Sequence, residues 1–97
     1  FWTDPERRQL MLYVYQFGFQ WGKIVKVLER DGGVLSDRPY ASLRNKFDKE
    51  LSRKFDQILR DLGLTPAYRT HNSKGDYWTG DMSHFDSFKS RVNSLYP

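Results

Sequence analysis

Cysteine is absent from the 97 residues, and histidine occurs only at positions 71 and 84. The first absence excludes a disulfide scaffold, a thiol nucleophile and a zinc finger. The second leaves too few imidazoles for a closed histidine metal site, so neither metal nor cofactor is expected. No apolar run approaches the roughly 20 residues of a membrane-spanning helix, and no membrane partner is expected. Phosphate loops, nucleophile elbows and dinucleotide fingerprints are missing too; the glycines at 32–33 and around 75–80 follow none of these patterns. His71, Asp76, Asp81 and His84 lie near one another in the sequence. Turn residues of these types are ordinarily solvated or capping, and no enzyme is expected. The chain opens on Phe1 rather than Met. It therefore reads as a piece of a longer protein, so a targeting signal can lie outside it and the compartment is not read directly from the chain.

What is present is aromatic and basic. Sixteen aromatic residues, three of them Trp, are enough for one small core although only 38% of the chain is hydrophobic. Lys plus Arg is 16 against 12 Asp plus Glu, a net charge of +4 that suits a polyanionic partner.

The apolar spacing is helical throughout. Thr3 or Asp4 can cap a first helix, Pro5 suits its first turn and Glu6 its positive end. Leu10, Met11, Val14 and Phe17 then form one stripe, and Gly18 is placed to end the helix, giving about residues 4–17. Trp21, Ile24 and Leu28 mark a second helix over about 21–30, broken by Asp31-Gly32-Gly33. Residues 31–39 read as a loop. From Tyr40 a long third pattern runs through Leu43, Phe47, Leu51, Phe55, Ile58, Leu59 and Leu62 to Gly63 and Pro66. Its spacing of four drifts around a helix, so its later residues need not face the same partner as its earlier ones. Residues 63–82 read as an irregular crossing segment. Ser83 with Asp86 resembles a capping box for a fourth helix over about 83–95, with Phe85, Phe88, Val92 and Leu95 as its stripe.

The ordered set Trp2-Thr3, Glu6, Leu10, Met11, Val14, Phe17-Gly18, Trp21, Ile24, Leu28 and Phe47 resembles the Myb/SANT-like family over about residues 1–55. The resemblance implies an all-α, homeodomain-like three-helix helix-turn-helix over 1–62. Trp2, Trp21 and Phe47 would be its three core aromatics, and residues 63–97 an extension packing on the bundle. Arg38-Pro39-Tyr40-Ala41-Ser42-Leu43-Arg44-Asn45-Lys46-Phe47 is similar to the third-helix signature of telomeric-repeat Myb domains. Ala41 and Ser42 depart from that signature, as does Asp48, which stands where the telomeric type keeps a base-reading arginine. The loop at 31–38 is also longer.

The charge falls where this resemblance needs it. Residues 38–54 hold six basic residues against Asp48 and Glu50, a balance of +4 that equals that of the whole chain. The family implies a third helix in the major groove of double-stranded DNA and a nuclear setting, at chromatin or telomeres. The base contacts it assigns fall on Ala41, Arg44, Asn45 and Asp48. Arg44 suits guanine, Asn45 suits adenine, and Asp48 can only accept, as from a cytosine amino group. Arg38, Lys46, Lys49, Arg53 and Lys54 are the expected phosphate contacts, with Trp21 and Lys23 adding contacts at the start of the second helix.

Two alternatives stay open on the sequence. Asp48 and Glu50 repel a phosphate backbone, and SANT-type relatives of mixed charge bind histone tails or other proteins instead. Tyr13, Tyr15, Phe19 and Tyr40 exceed what a three-helix core can bury, and Phe55, Ile58, Leu59 and Leu62 need a cover. Segment 63–97, with Trp78, folding back is the expected cover. A second protein or a second copy of the chain on an exposed aromatic surface is the other.

Overall fold

The computed structural model describes residues 2–64 and 80–97, and all regular structure among them is helical. Helix α1 spans Asp4–Phe17 and α2 spans Trp21–Asp31. A continuous rod follows, made of α3 (Tyr40–Lys46), a π turn (Phe47–Leu51) and α4 (Ser52–Asp61). A 3₁₀ turn at Met82–His84 leads into α5, Phe85–Leu95. The sequence-based expectations at Pro66, Thr70–Asp76, Tyr77 and Trp78 lie outside the described residues.

The first helix starts as its sequence dictates. Thr3 is the cap, and Glu6 closes a capping box by accepting from the Thr3 backbone N–H at 3.0 Å. Gly18 ends the helix with φ +70°, where its N–H still reaches the Val14 carbonyl at 2.8 Å. The Gln20 side chain donates to the Phe17 carbonyl at 2.8 Å, tying the short connection to α2.

The rod solves a phasing problem. Five apolar residues four apart would drift about 160° around a regular helix, since each step overshoots a turn by about 40°. Yet Leu43, Phe47, Leu51, Phe55 and Leu59 are all buried. The π turn, in which the Ser52 N–H reaches back five residues to the Phe47 carbonyl, widens one turn and takes up part of that drift. One rod thus keeps a nearly straight apolar edge.

An aromatic chain runs through the interior. Trp21 and Phe19 meet Phe47 at ring-centroid distances of 5.7 and 5.5 Å, Phe47 meets Phe55 at 5.2 Å, and Phe55 meets Phe88 at 5.2 Å. Phe88 stacks on Tyr15 at 4.4 Å. Such pairs contribute about 0.5–1.5 kcal/mol each beyond the area they bury. Helix α1 packs on α2, on the π turn and on α5, and α5 packs also on α4. The C-terminal helix therefore shares the core of the first three.

Two expectations change, at the start and the end of the C-terminal helix, and two further residues find their places in the core. The side-chain cap here is Asp81 at the start of the 3₁₀ turn, not Ser83 at the start of α5: the Asp81 carboxylate accepts from the Ser83 N–H at 2.9 Å and hydroxyl at 2.8 Å, and α5 itself begins after His84 with no side-chain cap. Tyr15, beyond what a three-helix core buries, is fully buried because α5 and Gly80 cover it. Leu95 is exposed and Tyr96 takes the buried place, since the chain leaves the helix at Tyr96 and Arg8 holds its carbonyl. Finally, the 32–39 loop has an anchor: Leu35 is fully buried.

Candidate nucleic-acid interface

The outer face of the rod carries the residues singled out for DNA. At 3.6 residues per turn, Ala41, Arg44, Asn45, Asp48 and Ser52 fall on one face, with Lys49 and Arg53 beside them. Ala41, Arg44, Asn45, Lys49 and Arg53 are exposed, and Asp48 and Ser52 are half-buried. The face opposite them is the buried edge of Leu43, Phe47 and Leu51, so the core fixes which way the stripe points. The Arg44 side chain is 59% exposed, and its Nε lies 3.8 Å from Asp48 Oδ2. Beside the stripe is an open hollow of about 360 Å³, lined by Trp2, Ser42, Asn45, Lys46, Lys49 and Glu50.

The basic residues divide into two sets. Arg38 is committed inward: its Nε donates to Glu6 Oε2 at 2.7 Å, and its guanidinium lies 4.6 Å from the Trp2 ring. Its guanidinium is thus engaged within the fold, unlike the exposed cations of the stripe. Lys46 pairs with Glu50 at 2.8 Å and lies 5.7 Å from the Trp2 ring. Arg7 approaches Glu50 from the other side at 3.4 Å. Lys46 above all, with Arg7 adding, holds the Glu50 carboxyl below its ordinary pKa against the opposing effect of burial. The negative charge that Glu50 brings to the rod is thus met by two cations. Lys54 turns toward the C-terminus, 5.1 Å from the Tyr96 ring. On α2, Lys23 is exposed and its ammonium lies 5.4 Å from the Phe17 ring. Trp21 is buried against Phe47, which leaves only its backbone for a contact.

Sequence reasoning did not find the inward set. Arg38 and Glu6 are 32 residues apart, and nothing local marks them as partners. The i, i+4 spacing of Lys46 and Glu50 was legible and would have identified that pair.

Of the residues considered for chemistry, Asp81 and His84 lie among the described residues, Asp81 as the cap of the 3₁₀ turn and His84 at its end. Ser83 Oγ lies 3.1 Å from His84 Nδ1, and His84 lies 3.5 Å from Asp81, all exposed at the start of α5. The two Ser83 donors, helped by His84, hold the Asp81 carboxyl below its ordinary pKa. Among the described residues no three acidic or histidine side chains gather as metal ligands, and no helix is long and apolar enough to cross a membrane.

No family model, curated protein or solved structure matches this chain.

Proposed function

We propose that this chain is a Myb/SANT-like helix-turn-helix that binds double-stranded DNA in the nucleus, with the rod at 40–61 lying in the major groove. The observation that carries the reading is the outward stripe of Arg44, Asn45, Lys49 and Arg53 on the helix whose opposite edge is the core. A helix presented in this way fits the major groove. Arg44 and Asn45 supply the donors and acceptors that read base edges, while Lys49 and Arg53 neutralise phosphates and release counterions. The small side chains of Ala41 and Ser42 let the start of the rod approach the bases closely. G-rich telomere-type repeats are the target class, by the likeness of residues 38–47 to telomeric third helices.

A second reading rests on Asp48. Its carboxylate beside Arg44 gives the middle of the stripe mixed charge, which suits a basic histone tail or another protein.

Fluorescence-anisotropy titrations at two salt concentrations test both, using G-rich repeat duplexes and shuffled duplexes of equal length. Preferential, steeply salt-dependent binding to the repeats supports the telomeric reading. Salt-dependent binding without preference leaves a general DNA-binding module. No binding at low salt rejects the DNA reading in favour of the protein-interaction one.

A further inference from the structure

Asp48 is the acidic residue on the stripe. Aspartate is a poor helix former in mid-rod. An acid four residues after a base is the weaker order for an i, i+4 pair, because it runs against the helix dipole. Its charge also faces the polyanion that the stripe is read to bind. Those three disadvantages call for a compensating role, and the geometry supplies one.

Asp48 Oδ2 lies 3.8 Å from Arg44 Nε, on the Nε side of the guanidinium. Arginine is a planar fork, and a carboxylate on its Nε edge orients the plane while leaving the two terminal amino groups for another acceptor. Asp48 sits one turn further along the rod, with its side chain 33% exposed against 59% for Arg44, so the less exposed group braces the more exposed one.

We propose that Asp48 is a positioning residue. It braces Arg44 so that the terminal nitrogens face O6 and N7 of a guanine, and this makes guanine obligatory at one position of the bound DNA. The inference rests on the DNA-binding reading above. In free solution an exposed pair at this distance contributes little. In the groove, where water is displaced, the same pair strengthens and restricts an otherwise flexible side chain. The repulsion of Asp48 from phosphate acts on every sequence alike, whereas the guanine contact forms only at the target. Both effects raise the ratio of specific to non-specific binding, and so a residue that weakens overall affinity sharpens selection.

The test is selection from a random duplex pool, followed by anisotropy on the selected duplex and on its single-base variants. It uses the wild-type chain, Arg44→Ala, Asp48→Ala, the near-isosteric Asp48→Asn and the double variant Arg44→Ala/Asp48→Ala, with circular dichroism to verify folding. The wild type is expected to select one invariant guanine. Arg44→Ala and both Asp48 variants are each expected to lower preference for that base by about five- to a hundredfold. The double variant should lose no more than Arg44→Ala alone. Affinity for non-cognate duplex should rise in both Asp48 variants. Replacing the guanine with 7-deazaguanine, which lacks the N7 acceptor, should weaken the wild type and leave Asp48→Asn nearly unaffected. Unchanged guanine preference in Asp48→Asn would overturn the positioning role and leave DNA binding standing. Loss of preference at a different base from the one Arg44→Ala affects would also overturn it, since Asp48 would then read its own base. A wild type that binds no duplex would overturn this inference and the DNA reading together.

Discussion

Glu6 and Arg38, 32 residues apart, meet at 2.7 Å, and the same carboxylate closes the capping box on Thr3 with its other oxygen. One side chain thus fixes the start of α1 and ties it to the end of the loop that leads into α3. Trp2, with Arg38 over its ring, is held in the same cluster. The junction thus joins the start of α1 to the loop just before the rod begins at Tyr40.

The junction is pH-sensitive in a definite sense. The Arg38 hydrogen bond, with further donation from Thr3 and against the effect of burial, lowers the Glu6 carboxyl from 4.5 to about 2. A depressed carboxyl stabilises the fold above its unfolded pKa, and that contribution is lost as the pH falls from about 4.5 through about 2. Glu6→Gln should therefore cost up to about 3 kcal/mol at neutral pH. Its deficit should shrink steadily below pH ~4.5. Urea unfolding of both chains across this range checks it. A deficit that stays constant with pH would show that the charge of Glu6 is not what holds the junction.

Gly80 and Tyr15 form the second junction. The Gly80 N–H donates to the Tyr15 carbonyl at 2.7 Å, and the Tyr15 hydroxyl donates to the Asp81 carbonyl at 2.6 Å. A Cβ on Gly80 would stand 2.4 Å from the Tyr15 ring, well inside contact distance. Gly80→Ala must move a fully buried ring or the backbone that covers it, and should cost about 1–3 kcal/mol. Tyr15→Phe removes only the hydroxyl and should cost about 0.5–1.5 kcal/mol. Denaturant titrations of the two variants compare them directly. A loss for Gly80→Ala no larger than for Tyr15→Phe would mean that the ring moves aside easily.

These junctions mark where the sequence stopped being legible. The helices were readable because a 3.6-residue period, a capping box and Gly18 are local signals. The bounds of α1 follow directly from them. The three core aromatics Trp2, Trp21 and Phe47 were also readable, and all are buried. The π turn was not: it arises only when five residues four apart must all reach one core. Leu35 lies in the stretch 31–39 that reads as a loop from its glycines and few apolar residues, and its burial depends on the space left between helices. Of the candidate interface, Arg44, Asn45, Lys49 and Arg53 were singled out by the resemblance and by the charge of the third pattern, and all four are exposed. The inward turn of Arg38 and the placing of the exposed Lys54 beside Tyr96 were not legible, since their partners Glu6, Trp2 and Tyr96 are distant in sequence.

Phe88 tests whether α5 belongs to the same cooperative unit as the first three helices. It is fully buried, touching Phe55 on α4 at 5.2 Å and Tyr15 on α1 at 4.4 Å. Phe88→Ala should cost about 3–5 kcal/mol and shift the whole unfolding transition. The exposed neighbour Ser90, changed to Ala, should stay within about 0.5 kcal/mol of the wild type. Unfolding followed by far-ultraviolet dichroism and by tryptophan fluorescence should coincide in both variants. A separate early transition confined to one probe in Phe88→Ala would show that α5 docks as an independent element.

The division of the basic residues makes the sharpest prediction about the interface. If the stripe faces DNA, Lys49→Ala and Arg53→Ala each remove a phosphate contact, and each should lower the slope of log affinity against log salt by about 1. Lys54→Ala should leave that slope near the wild-type value, because Lys54 is turned toward Tyr96. Lys46→Ala should do the same, because its ammonium is paired with Glu50. Arg38→Ala should appear instead as lost stability, through the uncompensated Glu6 carboxylate. Anisotropy titrations at four or so salt concentrations, paired with urea unfolding, separate the three behaviours. Equal slope losses at all five positions would mean that DNA senses only a diffuse positive field, and the orientation of the rod proposed here would have to be abandoned.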